Sequence, residues 1–121
     1  MGVILLFLLS SLISVSSSYE TIDEDGTLSG YVTDSAAAAT ALATGVKSYN
    51  GAISVDVDKR TIPTLMELAK KRGMSTGVAV TAQINHATPA AFLSHNESRR
   101  HYDALAQSYL DTDADVLLGG G

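Results

Sequence analysis

Residues 61–81, TIPTLMELAKKRGMSTGVAVT, read as a helix that runs straight into a strand, and this pairing decides the fold class. Thr61 is the expected cap, with Pro63 in the first turn, where its missing N–H costs nothing. Leu65, Met66, Leu68 and Ala69 form a largely apolar stripe. Lys70, Lys71 and Arg72 stand at the negative end of the helix dipole before Gly73. Val78, Ala79 and Val80, inside the stretch Met74 to Thr81, read as a short buried strand. A helix feeding such a strand is half of an α/β unit with a parallel sheet.

The same alternation extends in both directions. Downstream, Ala82 to Thr88 reads as an irregular polar stretch, and Pro89 starts a short helix through Leu93. Glu97 to Leu110 reads as helix, with Tyr102, Leu105, Ala106 and Tyr109 on one buried face, both tyrosines being core. His95 and His101 read as surface histidines. Ala114 to Leu118 is a further apolar strand, closing in Gly119, Gly120 and Gly121, and the β-α-β order implies right-handed crossovers. Upstream, Tyr31 to Thr33 reads as a short extended piece. Asp34 or Ser35 then caps an alanine-rich helix stopped by Gly45, whose small side chains imply close packing. Asn50-Gly51 is a tight-turn signal, flanked by Val46 to Tyr49 and Ala52 to Val55 in a hairpin-like excursion. Tyr19 to Gly30 is acidic and glycine-punctuated, an exposed loop or linker without a core.

With 121 residues there is room for one modest domain. Hydrophobic residues make up 45% of the chain, too many for a disordered polymer, and the net charge of −5 is the wrong sign for gripping a phosphate backbone, so nucleic acid is excluded as an expected partner. There is no cysteine, hence no disulfide, thiolate metal site or cysteine nucleophile. The aliphatic run Val3 to Ile13, followed by Ser14, Ser16 and Ser18, fits the apolar region and cleavage site of a secretory signal, although no Lys or Arg precedes it. A membrane span needs roughly 20 apolar residues, more than this run offers. A third reading makes Val3 to Leu9 a buried strand.

In open α/β sheets ligands collect at strand ends beside helix N-termini, and two places qualify. At Asp34-Ser35 a hydroxyl stands at the positive end of a helix, able to face an anion. The plainer reading makes either residue merely the helix cap. The loop Gln83 to Thr88 follows the strand and contains His86 and Thr88, although a lone histidine there is commonly just a surface or hydrogen-bonded residue. A Ser-His-Asp triad is disfavoured, because no Gly-x-Ser-x-Gly elbow surrounds Ser35.

VTDSAAAATALATGVKSYNGAISVD, residues 32–56, resembles the nucleophile segment of alkaline phosphatases, and HATPAAFLSHNESR, residues 86–99, resembles the same family's second active-site segment. The resemblance implies an α/β three-layer sandwich with a mostly parallel sheet, of which residues 19–121 are part of the catalytic domain and residues 1–18 a signal peptide or apolar leader. It implies phosphate monoester hydrolysis through a phosphoserine at Ser35, with Arg99 gripping two phosphate oxygens and Asp34 positioning that arginine. Arg100, adjacent on the expected helix, would point about 100° away. Two zinc ions and one magnesium are implied as cofactors, with Ser35 a zinc ligand, Thr88 a hydroxyl ligand of the magnesium and His86 shifting that third site toward zinc. The family is commonly exported, secreted or periplasmic, and a homodimer. The family's remaining zinc ligands and its aspartate bridging two metals have no counterpart in these 121 residues, so an incomplete alkaline phosphatase is the expectation. The alternative is a truncated, inactive α/β polypeptide that at most binds anions or a partner.

Overall fold

The computed structural model describes residues 21–30 and 32–121; the readings placed on residues 1–18, and on Tyr19, Glu20 and Tyr31, lie outside the described residues. The elements are β1 (Thr21–Ile22), β2 (Leu28–Gly30), α1 (Ser35–Thr44), α2 (Leu65–Lys71), β3 (Gly77–Gln83), α3 (Ala87–Leu93), α4 (Tyr102–Ser108), a 3-10 turn at Tyr109–Asp111, and β4 (Val116–Gly120). β3 and β4 pair in parallel, with Gly77 opposite Val116, Val78 opposite Leu117 and Ala79 opposite Leu118. Parallel neighbours need a long crossover, and α3 and α4 fill it. The α/β class expected from residues 61–81 is the class observed.

α1 starts and stops where its sequence directs. Asp34 is extended and accepts a hydrogen bond from the Ala37 N–H, while Gly45 adopts φ 76° and donates to the Ala41 carbonyl. Ala36, Ala37, Ala39, Thr40 and Ala43 are buried along it, and Ala87, Ala90 and Ala91 are buried along α3. Alanine facing alanine lets two helices approach closely, and Ile53 and Leu105, both fully buried, supply the bulk of the core between them. Thr40 is buried without penalty because its hydroxyl donates to the Ala52 carbonyl at 2.8 Å and accepts from the Ser54 N–H at 2.9 Å.

Several expectations give way to stronger local chemistry. The cap of α2 is Thr64, not Thr61. Thr64 Oγ1 accepts from the Glu67 N–H while Glu67 Oε2 accepts from the Thr64 N–H, a reciprocal capping box that leaves Pro63 ahead of the helix. Thr61 instead bridges to Val55. Asn50-Gly51 does turn, but residues 46–49 and 52–55 form no hairpin. Ile53 pairs with Asn96 instead, through hydrogen bonds of 3.0 and 2.8 Å. That pairing, with the Arg99 N–H donating to the Gly51 carbonyl at 2.8 Å, diverts the backbone of residues 97–101 from the expected helix, so α4 starts only at Tyr102. α3 starts at Ala87 with His86 as its cap residue, placing Pro89 within the first turn.

Burial also differs from expectation. Tyr102 is exposed; Tyr109 is half-buried against the core and donates to the Ile84 carbonyl at 2.9 Å. Residues 21–30 form an antiparallel hairpin, β1 with β2, where a loop was expected. β3 alternates half-buried and exposed residues over Gly77–Thr81 and is not a buried strand; among the described residues its one partner strand is β4, which covers an edge and neither face. Gly119 and Gly120 continue β4.

Candidate active site

The site grows from the two ends of one hydrogen-bonded frame. Asp34 Oδ1 caps α1 at the Ala37 N–H, 2.8 Å away, which aims Oδ2 at the Gly51 N–H (3.1 Å) and at Arg99 Nη1 (3.0 Å). The backbone N–H of Asp34 donates to Asn50 Oδ1 at 2.9 Å. The Asn50-Gly51 turn therefore touches both the cap of α1 and the segment that carries Arg99. Gly51 has φ 93°, and a Cβ there would fall 2.3 Å from Glu24 Oε1, so glycine is required on both counts. Glu24 in turn accepts from the Ser98 hydroxyl at 2.9 Å.

Arg99 Nη1 also donates to Ser35 Oγ at 2.7 Å, and Nη2 to His86 Nε2 at 3.2 Å. Since a guanidinium only donates, Nε2 of His86 supplies the lone pair, which leaves its proton on Nδ1 when the ring is neutral. The hydroxyl proton of Ser35 points away from Arg99 for the same reason. Asp34, Ser35, Arg99 and His86 are thus brought together, with Ser35 exposed and the Arg99 and Asp34 side chains about three-quarters buried. An open cleft of about 380 Å³ lies beside them, lined by Asp23, Glu24, Asp34, Asn50, Arg99 and Arg100 among others. Arg99 sits on an irregular segment, so the helix geometry expected to separate it from Arg100 does not operate; Arg100 lines the cleft but is exposed. Thr88 is exposed and lines a different, shallow groove with Thr81 and Ala82. Among the described residues no three His, Asp or Glu side chains are grouped to hold a metal ion.

Sequence reasoning missed Glu24, Ser98 and the structural role of Asn50. The Asn-Gly pair announces the turn, but no local signal shows that Glu24, 27 positions before Gly51, closes over it. His95 reads as a surface histidine, and its side chain is half-buried. Its Nδ1 lies 2.8 Å from the Ser54 carbonyl and its Nε2 3.0 Å from Glu67 Oε1, which ties α2 to the segment after α3. Burial would raise the Glu67 pKa, but the His95 contact and the Thr64 N–H outweigh it and hold the carboxyl below its usual range. His101 is exposed, as expected, with Nδ1 2.8 Å from Asn96 Oδ1. Burial, reinforced by Glu97, Glu24 and Asp56, pushes the Tyr49 hydroxyl up to about 12 while it donates to the Glu97 carbonyl.

Residues 11–121 match the sequence model of the alkaline phosphatase family. Alkaline phosphatase 4 of Bacillus subtilis is 55% identical over 96 residues, covering 74% of this chain and 21% of that relative. Among solved structures, a cold-active alkaline phosphatase from a psychrophilic Shewanella superposes with a TM-score of 0.76 at 68% identity, covering 84% of this chain and 25% of that one. The alkaline phosphatase of the Antarctic bacterium TAB5, in a mutant with magnesium in its M3 site, superposes with a TM-score of 0.75 at 32% identity over 93% of this chain and 35% of its own. The chain thus spans between a fifth and about a third of the length of these relatives. On the family match and these identities, it belongs to the alkaline phosphatase family.

Proposed function

We propose that the chain carries the phosphoryl-holding part of a phosphomonoesterase in which Ser35 becomes transiently phosphorylated. One observation carries the reading: the Arg99 guanidinium is bonded at once to Ser35 Oγ and to Asp34. Asp34 anchors the planar fork, and a tetrahedral phosphate placed beside Ser35 would receive its N–H groups in a paired contact. Ser35 Oγ attacks phosphorus while its hydroxyl proton passes to solvent water, the Oγ–P bond forms as the bond to the leaving oxygen breaks, and that oxygen takes a proton from water in turn, so the proton count is unchanged. Water then cleaves the phosphoserine, returning the hydroxyl and releasing inorganic phosphate. The N-terminus of α1 and the Arg99 N–H groups stabilise negative charge on these oxygens throughout.

The two zinc ions and the magnesium that accompany the family reading lack a complete ligand set among the described residues. Ser35, His86 and Thr88 are the candidates. A metal at His86 would have to take the Nε2 lone pair from Arg99, and Thr88 lies in a separate groove. Most ligands would therefore come from outside the described residues. The reading extends to export, secreted or periplasmic, supported by the apolar run at residues 3–13, and to a homodimer of the whole protein. Among the described residues no helix is long and apolar enough to cross a membrane.

The test is hydrolysis of a chromogenic phosphate monoester at alkaline pH with added zinc and magnesium, beside Ser35→Ala. Hydrolysis lost in Ser35→Ala supports the reading, and hydrolysis that survives the substitution overturns it. No hydrolysis by either favours the second reading, an anion-binding polypeptide without turnover.

A further inference from the structure

We infer that Asn50 is a positioning residue for the phosphoryl site, acting through Asp34 on Arg99; the inference rests on the phosphoryl-binding reading above. Asp34 is the carboxylate partner of Arg99, beside the Ser35 and His86 contacts of the guanidinium, and it has both its backbone N–H and its carboxylate held by one turn. Asn50 Oδ1 receives its backbone N–H, and the next residue, Gly51, donates to its carboxylate at 3.1 Å. The same Gly51 carbonyl receives the Arg99 N–H. A displacement of this turn would therefore move the anchor and the arginine together.

The turn is itself held from the far side. The Asn50 N–H donates to the Ile22 carbonyl at 2.7 Å and Asn50 Nδ2 to Asp23 Oδ1 at 3.2 Å, so the β1–β2 hairpin grips the residue that grips Asp34. Tyr49 Oη, one residue earlier, reaches the Glu97 carbonyl at 2.8 Å, pinning the segment that carries Arg99. Within this frame Asn50 Oδ1 is the side-chain acceptor that fixes the Asp34 backbone in the extended state from which its carboxylate can face Arg99. The Asn50 side chain acts on the site through the Asp34 N–H, while the adjoining Gly51 carbonyl holds the Arg99 backbone in the same frame.

Calorimetric titration of the 121-residue chain with inorganic phosphate tests this. Asp34→Ala is expected to weaken phosphate binding roughly three- to tenfold, because Arg99 loses its anchor. In an Asn50→Ala background the Asp34 backbone has lost the acceptor that fixes it and its carboxylate keeps only the Ala37 and Gly51 N–H groups, so the same substitution should cost less than about twofold. In Asn50→Asp, which keeps a side-chain oxygen facing the Asp34 N–H, the Asp34→Ala loss should return to its parental size, the added charge cancelling within that background. Should Asn50→Ala lose its cooperative melt, Asn50→Ser, whose side chain stops short of that N–H, takes its place. An Asp34→Ala loss of equal size in all backgrounds overturns the inference alone. Failure of the parent chain to bind phosphate overturns the phosphoryl reading and the inference with it.

Discussion

The helical half of the molecule and the β3–β4 sheet are both rich in small and aliphatic residues, yet they behave differently. Around α1 and α3, Ala36, Ile53, Ala87, Ala90 and Leu105 are sealed from solvent, and the segments between them are tied by buried hydrogen bonds. In the sheet, Val116 and Leu118 are 49% and 60% exposed. The difference lies in what covers each element, not in its composition. A helix of alanines finds a matching helix and approaches it closely, whereas a two-stranded sheet leaves its faces open. The candidate site stands on the sealed half, where a fixed geometry can be kept.

The largest effect that would break this comparison is in stability. Ile53→Ala should cost about 2 to 5 kcal/mol, as for a large side chain removed from a closed core, against about 0.5 kcal/mol or less for Leu118→Ala. Urea midpoints of the two variants check it, and equal losses would erase the distinction between the halves. Gly51→Ala should cost about 1 to 3 kcal/mol through its positive φ and the collision with Glu24. Adding Glu24→Ala removes the collision and leaves the backbone strain, so a partial recovery is expected in the same assay.

Much of the helical half was legible in the sequence because its signals are local. Asp34 and Gly45 bound α1 through capping chemistry contained within a few residues, whereas Ser35 and Arg99 are expected in one site only through the family resemblance of two segments, which does not foretell their contact. Most misread positions are those where a distant partner decides. The cap of α2 is the exception, since Glu67 three residues beyond Thr64 completes a capping box that the sequence itself displays, while Val55 pairs with Thr61. Residues 97–101 lose their expected helix to the pairing of this segment with Ile53 and Gly51, some 40 or more positions earlier. The acidic residues 23–25 read as linker because nothing nearby shows that Glu24 closes over Gly51.

Two smaller effects sharpen the comparison. Thr64→Ala removes a buried cap and should cost about 1 kcal/mol in the same denaturation assay. Tyr49 gives the sealed half an alkaline limit. Its ordinary pKa near 10 is pushed up to about 12 in the fold, so the fold favours the neutral phenol. That contribution is complete below pH 10 and fades as pH rises toward 12. Thermal melts across this window should fall less steeply for Tyr49→Phe than for the parent chain.

The central claim is that Arg99, by its bonds to Ser35 and Asp34, holds the phosphoryl group, and its neighbour provides the control. Titration of inorganic phosphate into the chain should show Arg99→Ala weakening binding roughly 10- to 100-fold, the value of a charge-assisted hydrogen bond. Arg100→Ala, which removes an equal charge from the same cleft, should weaken it by less than about threefold, as for a solvent-screened contact. Equal losses for the two arginines would contradict the account, because they would mean that the cleft attracts phosphate by charge alone and not by the built contact.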